Sequence, residues 1–195
     1  MEKNIRLVVV VPILLLATLG GCQTPQSANP LAVELAGNDL EAQMAFWHQL
    51  TERKVVSNDE GFHGLLLFLE SSDPAESYEG RVEILRERQM LPDGFREPPD
   101  AALSRGTMAV ILARALGIKG GITMRVLGAT PRYATRELQY LSIYPRSSPN
   151  QTFSGSEFLG IVGRAEDYER SFPIKVPASE FVGGESTEPE GNSTE

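Results

Sequence analysis

The chain has 195 residues with 26 acidic and 18 basic side chains, a net charge of −8, so it lacks the cation excess that neutralising a phosphate backbone demands, and no nucleic-acid partner is expected. A single cysteine and two histidines make an intrachain disulfide impossible and remove the material for cysteine-based zinc or thiol chemistry. The length suits one compact domain, or a tight array of units too small to be stable alone.

Lys3 and Arg6 form a short positive start, and Leu7 to Leu19 is an uncharged apolar run. At roughly 13 residues it is too short for a hydrocarbon core that takes about 20, and it has the length and flanks of an export-signal core. The run ends in Leu19-Gly20-Gly21-Cys22. This resembles a bacterial lipobox, which implies that residues 1–21 are a signal peptide and that the Cys22 thiol takes up lipid, palmitate included. One acyl chain holds a protein only marginally, whereas two or more give a stable anchor. Gln23, where an aspartate would retain a protein at the inner membrane, implies an outer-membrane destination, facing the periplasm or the cell surface. Residues 22–38 read as a flexible tether, with Gln23 to Pro30 small and polar.

A helical domain is expected over residues 39–176. Asp39 is placed to cap a helix from Leu40 to Arg53, whose buried face would be Leu40, Met44, Trp47 and Leu50. Ser57-Asn58-Asp59-Glu60 is a capping box, in which Ser57 and Glu60 each satisfy an orphan amide of the first turn. Phe62, Leu65, Leu66 and Leu69 follow on one face. Pro74 opens the next segment, where Tyr78, Val82, Leu85 and Gln89 form a narrow stripe ending at Leu91-Pro92-Asp93-Gly94. After a proline-broken link, Ser104 caps a helix burying Met108, Ile111, Leu112, Ala115 and Leu116, closed by Gly117 and Ile118. Ile122 to Leu127 reads as a short strand or an apolar link, and Arg132 to Tyr144 as a helix burying Ala134, Leu138 and Leu141. Ser154 and Glu157 form a second capping box before Phe158, Ile161, Val162 and Ala165. The tail over residues 177–195, rich in Gly, Ser, Thr, Pro and Glu, has almost nothing apolar to bury and is expected to be disordered.

The capping serines lie 47 and 50 residues apart, and each follows an apolar residue (Val56, Leu103, Phe153). Such spacing suggests supersecondary units, here helical hairpins, that bury their faces against one another. Tyr78 to Leu116 resembles an S-layer homology (SLH) unit: a helix, a Leu91-Pro92-Asp93-Gly94-Phe95 turn, a proline-bearing link, then Leu103-Ser104-Arg105-Gly106-Thr107 leading into a helix. The resemblance implies a mainly α fold, helical-hairpin repeats in a pseudo-threefold bundle, and Arg105 as a residue for anionic wall glycan. The outer units carry Asn58 and Gly155 at the arginine position, and Thr107 stands where the family has glutamate.

His48 and His63 are 15 apart on different expected helices with no HExxH pattern, so no metal site or cofactor is expected. Arg105, Arg114, Arg125, Arg132 and Arg136 form the densest basic series, which would suit a phosphate- or carboxylate-bearing glycan if loops gathered several together. The reading is a non-catalytic, lipid-anchored envelope protein with an interaction or scaffolding role, its partners the membrane through Cys22 and a wall polymer or another envelope protein. The alternatives are a glycan-binding module, and an envelope hydrolase using paired carboxylates such as Glu60 and Glu157.

Overall fold

The structure, a computed structural model, describes residues 30–172. The expected signal peptide, Leu19, Gly20, Gly21 and Cys22, the first part of the tether and the acidic tail lie outside the described residues. What is described is mainly helical. A 3-10 turn at Val33–Leu35 precedes α1 (Leu40–Thr51), α2 (Asn58–Glu70), α3 (Tyr78–Glu87), α4 (Arg105–Ala115), α5 (Ile122–Leu127), α6 (Pro131–Tyr140) and α7 (Gly155–Ser171). Extended pairing among the described residues is limited to an isolated bridge between Ser57 and Ala102.

Side chains fix most helix starts. Asp39, Ser57, Ser77, Ser104, Thr130 and Ser154 each accept an amide of the first turn of α1, α2, α3, α4, α6 and α7 respectively. The boxes at Ser57–Glu60 and Ser154–Glu157 are complete, with each glutamate returning to the cap amide. At Ser104 the shorter Thr107 offers only a hydroxyl, 2.8 Å from the serine's own. Left-handed residues close α3, α4 and α6 at Gln89, Gly117 and Ser142. The closures of α3 and α6 correspond atom for atom: the amides of Met90 and Leu91 reach the Leu85 carbonyl, and those of Ile143 and Tyr144 reach the Leu138 carbonyl. Each leucine stands seven residues before a proline, Pro92 or Pro145.

The arrangement of the helices is cyclic. α2 packs on α3, α4 on α6 and α7 on α1, so each serine-capped helix from the expected repeat docks on a helix outside its own hairpin. Their starts are joined by backbone hydrogen bonds at recurring offsets. The amides of Asn58 and Asp59 donate to the carbonyls of Ala101 and Pro99, and those of Arg105 and Gly106 to Gln151 and Pro149. The Gly155 amide closes the circuit on the Arg53 carbonyl at 2.8 Å. Inside it, the Leu103 amide donates to Val56 and the Val56 amide to Phe153. Val56, Leu103 and Phe153, the residues preceding the three caps, are all fully buried at the centre of the core. Burying a side chain of that size contributes about 1.5–3 kcal/mol.

Three expectations change. Leu40 and Met44 are 75% and 65% exposed; α1 docks through Phe46 and Leu50, with Trp47 at the edge. Ile122–Leu127 is a helix, bracketed by Gly121 and Gly128, that inserts only Met124. Part of the segment expected to be a tether belongs to the domain: Leu31 and Leu35 pack on the core, and Asn38 exchanges two hydrogen bonds with the backbone of Asp73.

Candidate functional site

The most concentrated polar chemistry inside the domain joins α2, α3 and the segment between them. His63 Nδ1 lies 2.6 Å from Asp73 Oδ2, and both side chains are fully buried. Arg81 donates through Nε to the same oxygen and through Nη1 to Asp59 Oδ1 at 2.8 Å. Asp73 Oδ1 also accepts the Ala75 amide. Burial pushes the Asp73 carboxyl up, but hydrogen bonds from His63 and Arg81 outweigh it and leave the pKa below the usual aspartate value. For Asp59, burial prevails over the neighbouring Arg81 and raises the pKa. The His63 ring stands edge-on to Phe46 at 4.6 Å, and its Nε2 has no partner among the described residues. A ring so enclosed has no open face for a substrate, and its place is that of a tie between elements. Sequence reading missed Asp73 and Arg81. The available signal was spacing: Arg81 falls on the stripe of Tyr78, Val82 and Leu85, and a buried guanidinium requires a carboxylate partner.

The residues singled out by the sequence occupy the helix starts. Glu60 Oε2 accepts from the Ser57 amide, and its Oε1 accepts from Arg53 Nε at 2.7 Å. Glu157 repeats this: Oε2 accepts from the Ser154 amide and Oε1 from Arg105 Nη2 at 2.6 Å. The Ser154 amide is the main cause of a Glu157 pKa below the usual range, helped by Arg105. Arg105 also donates through Nε to the Thr152 carbonyl, and its guanidinium lies 4.9 Å from the Phe153 ring centre. Its side chain is 6% exposed. Arg105 therefore does border a groove between units, of about 520 Å³ with Arg146, Asn150 and Gln151, but it is spent largely on the fold.

Gly155, which follows the Ser154 cap as Arg105 follows Ser104, has a steric cause. A Cβ there would stand 1.5 Å from the Leu50 carbonyl oxygen, so any larger residue would force α7 off α1. Asn58, in the same place after the Ser57 cap, is buried and donates to the Pro98 carbonyl.

The basic series divides. Arg114 and Arg125 share a groove of about 1300 Å³ with Arg86, Arg88 and Lys119 at the far end of α4, while Arg136 borders a smaller cleft and Arg132 is exposed. Among the described residues no cluster of His, Cys, Asp and Glu could hold a metal ion, and no helix is long and apolar enough to cross a membrane. Comparison with protein-family models, curated proteins and solved structures finds no match.

Proposed function

We propose that this chain is a lipid-anchored cell-envelope protein whose helical domain, a divergent set of SLH-like hairpins, acts by interaction or scaffolding and not by catalysis. The observation that carries this reading is how the motif residues are used. Both oxygens of Glu60 and of Glu157 are engaged by a cap amide and an arginine, and Arg105 clasps the start of α7. Such a ring stabilises a rigid body and leaves neither carboxylate with an oxygen free to serve as a general acid. The hydrolase alternative thereby loses the support of its two named candidates. The cyclic docking of the capped helices supports the repeat, and the sequence Leu19-Gly20-Gly21-Cys22 supports the anchor and the export.

Labelled palmitate fed to expressing cells tests the anchor. Wild type should incorporate label and fractionate with membranes, and Cys22→Ser should not incorporate it; equal labelling of the two would end the reading. The groove beside Arg105 favours wall-polymer binding as a second reading. Pull-down with purified wall polymer would retain wild type more than Arg105→Ala, and retention of neither would remove it.

A further inference from the structure

The groove at the other end of α4 gathers more cations than the Arg105 groove, five against two, and of these the fold leaves Lys119 and Arg125 without partners among the described residues. Arg86 and Arg88 come from the end of α3, Arg114 from the last turn of α4, Lys119 from the glycine corner and Arg125 from α5. The whole chain carries a net charge of −8, so gathering five of its cations in one concavity is a local reversal of sign. Glu87 and Asp93 also border the groove, yet neither forms an ion pair among the described residues. Arg88 is paired with Glu70. Lys119 and Arg125 are exposed and have no ion-pair partner among the described residues, and Arg114 spends one nitrogen on the Gln89 carbonyl at 2.8 Å. Arg86 holds the Phe95 carbonyl through Nη2, while its buried Nε has no partner among the described residues.

The backbone holds this arrangement open. Gly117 and Gly120, each with φ of 60°, turn the chain between α4 and α5, and Gly128, at 79°, turns it after α5, while residues of both helices line the one groove. Met124 is the buried pin of α5, so Arg125, the next residue, is directed away from the core. At about 1300 Å³ the groove exceeds the volume of a single small anion and suits a chain segment bearing several charges.

We propose that this groove binds a soluble polyanionic chain, carrying repeated phosphate or carboxylate groups, through Arg114, Lys119 and Arg125. It is separate from the Arg105 groove, since Arg114 lies nine residues further along α4, about 13 Å on by helix rise. It deepens the interaction role proposed above by naming a ligand chemistry, and its test does not depend on the lipid anchor.

The full chain, purified in detergent, is titrated calorimetrically with inorganic polyphosphate and with polygalacturonate, neutral dextran serving as blank. Saturable binding to at least one polyanion is expected, weakening as salt rises. Lys119→Glu/Arg125→Glu should weaken it at least about tenfold, through the loss of two attractive charges and the gain of two repulsive ones. Arg132→Glu/Arg146→Glu makes the same change in net charge elsewhere, Arg146 on the Arg105 groove, and should leave binding within about twofold. Unchanged melting of both variants shows that the fold is kept. Three outcomes overturn the proposal: no saturable binding, equal loss in both variants, or binding only to phosphatidylglycerol vesicles. The last matters because Ile122 and Val126 are 83% and 76% exposed on α5 and would favour a lipid surface.

Discussion

Asp73 ties three parts of the domain together, because α2, α3 and the N-terminal segment meet at its carboxylate and backbone. Removing it leaves buried Arg81 with Asp59 as its one remaining carboxylate and buried His63 Nδ1 without its partner. Asp73→Ala is expected to cost about 3–5 kcal/mol, measured by urea unfolding. The pH dependence follows from the same carboxylate. Its folded pKa is below the ordinary 3.8, so its stabilisation is complete above that value and is lost as pH falls through the lower folded pKa. Asp59 has the opposite sign: its raised pKa costs stability as pH rises through the folded value. The urea midpoint of wild type should therefore fall below about pH 3.8, and Asp73→Asn should show a shallower fall over that window. Gly155 is the steric counterpart. Gly155→Ala places a methyl inside the Leu50 carbonyl and should destabilise by about 3 kcal/mol, whereas the same change at Gly163, where an added Cβ meets nothing, should be tolerated.

At the scale of elements, caps and stops were legible because they are local. Ser57, Ser104 and Ser154 begin helices where their side chains reach amides three residues on, and Gly117 ends α4 with Ile118 folded back onto the Ala113 carbonyl. Ser57→Ala should cost more than Ser104→Ala, about 2 against about 1 kcal/mol by thermal denaturation. Ser57 is buried and its box is complete; Ser104 is half-buried and has no glutamate returning to its amide. The face of α1 was misread because Phe46 and Trp47 are adjacent and either sets a consistent three-and-four spacing with Leu50. Only the docking of α1 on α7 decides between them, and that contact spans more than a hundred residues. Six residues of α5 carry too little periodicity to distinguish helix from strand, and its helix depends on the pin at Met124. The Asp73–Arg81 tie was half legible: the stripe of Tyr78, Val82 and Leu85 turns Arg81 inward, but no local pattern names Asp73 as its partner.

The whole molecule reads as a ring and not a row. In a linear array each unit touches its neighbours and the ends stay open, so stability accumulates by increments. Here the Gly155 amide returns to Arg53 and α7 packs on α1, so the last helix closes on the first. The even spacing of the capping serines is legible in the sequence, whereas closure enters there only through the pseudo-threefold bundle that the resemblance implies, because it rests on backbone groups that every sequence possesses. A closed ring should unfold as one cooperative body, and its central amides should have no route to solvent short of that event. Native-state hydrogen exchange of the Val56, Leu103, Arg105, Gly106 and Gly155 amides tests this most directly. The account predicts that all five exchange only through global unfolding, with one shared free energy and one shared denaturant dependence. Exchange of the Gly155 or Val56 amide through a smaller opening, while Arg105 and Gly106 stay protected, would contradict it.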